Sequence, residues 1–88
     1  MNTKSQITSD IKDYIQESIK QGEKDIAYWE RCKNLVAESI ADNIAEMNQK
    51  LKSLMSVETI DKTMIEELLK NETDDSLIII YEDILTYF

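Results

Sequence analysis

The 88-residue chain has no histidine and no proline, one glycine (Gly22), one cysteine (Cys32) and one tryptophan (Trp29). The missing histidine removes the commonest general base, the commonest zinc ligand and the base of every Ser-His or Cys-His nucleophile pair. Without proline and with a single glycine, the residues that set tight turns and hairpins are lacking, so few sharp corners are expected. A lone cysteine forms no disulfide within the chain and suits a reducing compartment. The start, Met1-Asn2-Thr3-Lys4-Ser5-Gln6, is polar, and no stretch approaches the ~20 apolar residues that span a bilayer. These absences lead us to expect a cytoplasmic protein that is not an enzyme, with no catalytic residues, no cofactor and no metal.

What is present belongs to a folded domain: 42% of residues are hydrophobic and 32% charged, a balance unlike that of a disordered tail. A chain this short buries only about 60% of the surface its unfolded form exposes. With a thin core and no staple, stability has to come from helix packing or self-association. One helical domain over residues 1–88 is expected.

Ile7, Ile11, Tyr14, Ile15 and Ile19 recur at the spacing of one helix face, which predicts a helix from about Ser5 to Gln21. Ser5 or Thr8 is placed to cap it, and Gly22 to stop it in a left-handed conformation. The interleaved Asp10, Asp13 and Glu17 with Lys4, Lys12 and Lys20 form its solvated face. From about Lys24 to Met55 no breaker occurs, and Ala37, Ile40, Ile44, Met47, Leu51 and Leu54 step by threes and fours. Ile26, Trp29, Cys32 or Lys33, and Val36 extend that stripe upstream, with Leu35 widening it, so Cys32 is expected as a buried small hydrophobe. Of Tyr28 and Trp29, one should be core and the other an exposed anchor. A helix of roughly 30 residues would be about 45 Å long, more apolar length than short neighbours cover. Dimerisation through it is one way to cover the remainder.

Ser56–Lys62 is the next corner, because Ser56, Thr59 and Asp61 all prefer cap positions and Thr63-Met64-Ile65-Glu66 has the form of a capping box. A short helix with Ile60, Met64, Ile65, Leu68 and Leu69 on its apolar face ends near Asn71, before the polar loop Asn71–Ser76. The β-branched run in residues 77–88 favours a strand, yet Leu77, Ile80 or Tyr81, Ile84 and Phe88 keep helical spacing and a lone strand has no sheet to join. Helix is favoured. The fold class expected is all-α: three to four helices in a small bundle with one long central helix, about 24–55.

The net charge of −8 is unevenly placed. Residues 1–56 hold nine acids and eight bases, whereas residues 57–88 hold nine acids against Lys62 and Lys70, a net of −7. Such a field leads us to expect no direct binding of DNA, RNA or anionic membrane and an attraction to basic surfaces. Lys20, Lys24, Arg31 and Lys33 are matched by Glu17, Glu23, Asp25 and Glu30 and make no basic patch. No glycine-rich loop cradles a phosphate. Glu58-x-x-Asp61 has the spacing that helical nucleotide pyrophosphohydrolases use for magnesium, but the second acidic pair across the bundle is missing.

Two features remain as a candidate partner-binding surface. Glu58, Asp61, Glu66, Glu67, Glu72, Asp74, Asp75, Glu82 and Asp83, on two short helices and their joining loop, form a band of negative charge comparable with phosphates along a strand. The competing reading is a solvated face that keeps a small domain soluble. At the C-terminal end, Tyr81-x-x-Ile84-x-x-Tyr87-Phe88 resembles the peptide with which replication proteins dock on sliding clamps, Tyr81 standing where glutamine is usual; packing on the core is the other reading. In size, charge and helicity the chain is similar to the small acidic proteins with which phages and plasmids disarm restriction or CRISPR nucleases. The expected function is therefore an inhibitor or accessory protein, DNA-mimic-like, that occupies a basic nucleic-acid-binding site on a larger protein, probed through those nine carboxylates with Tyr87 and Phe88. A self-associating structural module and a clamp adaptor are the alternatives.

Overall fold

The computed structural model describes residues 3–88. Met1 and Asn2, on which the expectation of a polar start partly rests, lie outside them. Among the described residues four helices follow in order: α1 (Lys4–Glu30), α2 (Leu35–Met55), α3 (Lys62–Asn71) and α4 (Asp75–Leu85). Among the described residues there is no strand, and no helix is long and apolar enough to cross a membrane. The chain divides into two compact units: the part up to Tyr14 together with Val57–Phe88, and Ile15–Ser56.

The all-α expectation holds, but the uninterrupted helix over 24–55 does not exist. The first helix continues through Gly22 to Glu30, and a break at Arg31–Asn34 separates it from α2. The break needs neither proline nor glycine. Lys33 adopts a left-handed φ of 44°, and Asn34, extended at φ −142° and ψ 163°, accepts a hydrogen bond from the Ala37 amide through its side-chain oxygen at 2.8 Å. An asparagine so placed starts a helix by satisfying one of its orphan amides. Apolar periodicity passes through the break unchanged, which is why spacing alone reads one helix.

Gly22 is likewise not a helix stop. It lies within α1, where a Cβ would fall 2.5 Å from Asn48 Oδ1 and 2.7 Å from Asn48 Nδ2. Asn48 Nδ2 donates to the Ile19 carbonyl at 3.2 Å, so the missing side chain of Gly22 makes room for the amide that ties α1 to α2. Ile15, Ile19, Ala37, Ala41, Leu51 and Leu54 are buried in this unit, which holds the later part of α1 and all of α2.

In the other unit α3 packs against α4. The buried side chains are Ile11, Ile60, Ile65, Leu77, Tyr81 and Ile84. Thr8 is also buried; instead of capping α1, its hydroxyl accepts from the Ile60 amide at 3.1 Å. The α1 start is held by Thr3, whose Oγ1 accepts from the Gln6 amide at 3.1 Å. Asp61 rather than Thr63 caps α3, accepting from the Met64 amide at 2.9 Å. Residues 75–85 are helical, as their spacing predicts, with Asp74 as N-cap.

A candidate acidic interface

All nine carboxylates of the sequence reading lie in the unit containing α3 and α4, but they are not equivalent. Four serve the fold. Asp61 and Asp74 are N-caps. Glu72 accepts from the Thr73 and Asp74 amides at 3.1 Å each, shaping the α3–α4 connection. Asp83 Oδ2 accepts from the Tyr14 hydroxyl at 2.8 Å. The carboxylates of Glu58, Glu66, Glu67, Asp75 and Glu82 are exposed and make no hydrogen bond or ion pair among the described residues. Their density is thus lower than the count of nine suggests. No three His, Cys, Asp or Glu side chains among the described residues stand close enough to hold a metal ion, and Glu58 and Asp61 are a connecting residue and a cap.

The most uniform part of the surface is on α4. Asp75, Ile79, Glu82 and Asp83 stand at i, i+4, i+7 and i+8, within one stripe opposite the buried Leu77, Tyr81 and Ile84. Ile79 is 61% exposed in the middle of this stripe, a feature concealed in the sequence by its place inside an apolar run. No lysine or arginine occurs from residue 71 to 88. On α3 the exposed Glu66 and Glu67 share their face with Lys70, three and four residues on, which dilutes them.

Glu82 and Asp83 also sit against the helix dipole. They occupy the end of α4, which has no basic residue in its last turn, where the partial negative charge of the helix C-terminus disfavours acids. By contrast, α3 carries Lys70 in its last turn and α2 carries Lys52, the favourable arrangement.

The aromatic end is only partly free. Tyr81 and Ile84 are 1% and 0% exposed, so the first position and the aliphatic position of the clamp-like octapeptide are core. Tyr87 and Phe88 are part-exposed, and the Tyr87 ring leans on Tyr14 with centroids 6.0 Å apart. Burial raises the Tyr81 phenol above its ordinary pKa of 10.0, with the nearby Glu72 and Asp74 carboxylates adding to the shift.

The sequence reading missed a second exposed surface at the α1–α2 turn. Leu35 and Val36 stand open to solvent rather than on a buried stripe, and Tyr28 is the exposed member of its pair, with Trp29 half-buried. Cys32, expected in the core, is exposed in the turn, because the helix that would have buried it ends before it. The chain matches no family model, no curated protein and no solved structure.

Proposed function

We propose that this protein acts by binding without catalysis, as an inhibitor or accessory protein whose acidic C-terminal surface occupies a basic, nucleic-acid-binding site on a larger, nucleic-acid-handling protein in the cytoplasm. The observation that carries this reading is the α4 stripe, where Asp75, Glu82 and Asp83 surround the exposed Ile79 with no cation in residues 71–88. From Asp75 to Asp83 is about 12 Å of helix axis, over which one strand of a duplex presents about three to four phosphates. The stripe thus approaches the charge density of one strand, and Ile79 adds an apolar contact that phosphates lack. The mode of action is that of phage anti-restriction and anti-CRISPR proteins.

The test is capture of partners from the natural host by the immobilised chain, with duplex DNA as competitor. Reversing Glu66, Glu67, Asp75 and Glu82 to lysine should abolish capture with helicity retained, and duplex DNA should displace the wild-type partner. Asp74 is spared because it caps α4. Capture that survives the fourfold reversal sinks the proposal.

A self-associating structural module is the second reading, and the apolar side chains exposed at the α1–α2 turn favour it. Docking on a sliding clamp has less support, since Tyr81 and Ile84 would have to leave the core.

A further inference from the structure

The turn joining α1 to α2 carries apolar side chains that nothing among the described residues covers. Leu35 is 84% exposed, Val36 69% and Tyr28 59%. The Tyr28 ring meets Trp29 edge to face at 5.2 Å, which holds both aromatics at the end of α1. Three large apolar side chains stand this open within nine residues of sequence, and exposed apolar surface that is grouped in this way is often functional. Beside them runs a groove lined by Glu30, Lys33, Asn34, Leu35, Glu38, Ala41 and Asp42. Its charges are of both signs, and among the described residues neither Lys33 nor Arg31 closes an ion pair with Glu30, Glu38 or Asp42.

We infer that this turn is a self-association surface and that its occupant is a second copy of this chain. The charge pattern selects that occupant. Residues 15–56 carry seven acids and six bases, a net of −1, against −7 for residues 57–88. Two copies repel each other through residues 57–88 and meet at least electrostatic cost at the α1–α2 turn, whereas a strongly basic partner is drawn to residues 57–88 instead. A two-fold contact also demands a patch complementary to itself. Here Arg31 and Lys33 of one copy can face Glu30, Glu38 and Asp42 of the other, and the reverse, around the shared apolar centre.

This surface takes Leu35 and Val36 from the expected long-helix stripe but presents them at a turn rather than along a continuous seam, and its assignment does not depend on the acidic-surface reading. Sedimentation velocity of the full chain, over a concentration range reaching millimolar, tests it. The wild type should move from the 10.3 kDa monomer to twice that mass. The double variant Leu35→Lys/Val36→Glu should stay monomeric throughout with unchanged circular dichroism, since both side chains are solvent-exposed and neither contributes to the core. Glu66→Lys/Glu82→Lys should dimerise at least as readily as the wild type. A wild type that remains monomeric overturns the inference, as does a dimer that persists in the Leu35→Lys/Val36→Glu variant.

Discussion

Gly22 and Asn48 form a matched pair in which each residue makes sense only with the other. Asn48 is 4% exposed, donates to the Ile19 carbonyl, and leaves its Oδ1 buried without a partner among the described residues. In an ordinary helix interior, replacing glycine by alanine gains about 1 kcal/mol. Here the new methyl group would push the Asn48 amide out of place and break its bond to Ile19, with an overpacking cost of about 1–3 kcal/mol. Gly22→Ala should therefore destabilise the wild type. In an Asn48→Ala background, the same change should stabilise by about 1 kcal/mol. Urea denaturation of the four proteins reads this reversal of sign, and two effects of equal sign would show the pair to be uncoupled. Tyr81 supports a second prediction. Its phenol is held neutral in the fold by burial and by Glu72 and Asp74, so its folded pKa lies above its unfolded one. The stability this contributes is complete below about pH 10 and is lost as pH rises through the raised value, because only the unfolded chain ionises readily there. Tyr81→Phe should shift the alkaline unfolding midpoint to higher pH, followed by circular dichroism.

The α1–α2 turn rests on two adjacent residues with opposite energetic signs. Asn34 stabilises α2 through its cap, and Asn34→Ala should cost about 1 kcal/mol. Lys33 carries the strain of a left-handed backbone at φ 44°, so Lys33→Gly should gain about 0.5–1 kcal/mol despite the entropy of glycine. Thermal unfolding of the two variants should move the midpoint in opposite directions. The same turn marks the limit of what the sequence discloses. The start of α3 and the α3–α4 junction were legible because cap-forming residues cluster there, and of the candidates Ser56, Thr59, Asp61 and Thr63 it is Asp61 that makes the cap. The helical state of residues 75–85 followed from spacing and from the lack of a sheet for the Ile78–Ile80 run. The end of α1 was not legible from periodicity, since a four-residue turn leaves the apolar steps of three and four in phase. A cap rule applied at Asn34, just ahead of Leu35-Val36, finds it. The misplacement of Cys32, Leu35 and Val36 in a buried stripe follows from that one missed boundary.

Across the chain, the sequence located the acidity correctly but could not divide it between structure and surface. Asp61, Glu72, Asp74 and Asp83 are engaged by backbone amides or by Tyr14, a distinction that depends on cap geometry and tertiary contact rather than on charge count. Glu82 is the most informative of the remainder. It is exposed in the last turn of a helix with no balancing base, a position where an acid opposes the macrodipole by about 0.3–1 kcal/mol. If it serves only solubility, a lysine there serves as well and is better placed. Glu82→Lys should accordingly stabilise the fold by a few tenths to about 1 kcal/mol, whereas Asp74→Ala, which removes a cap, should destabilise by about 1 kcal/mol. The two changes should have opposite priorities in partner capture. Under the proposed function Glu82→Lys reduces capture although the fold is firmer, while Asp74→Ala changes capture only to the extent that α4 frays. Measuring stability by urea denaturation and capture on the same two proteins separates a carboxylate kept for the partner from one kept for the fold. A Glu82→Lys variant that is more stable and captures the partner as well as the wild type would return that residue to the solvated face.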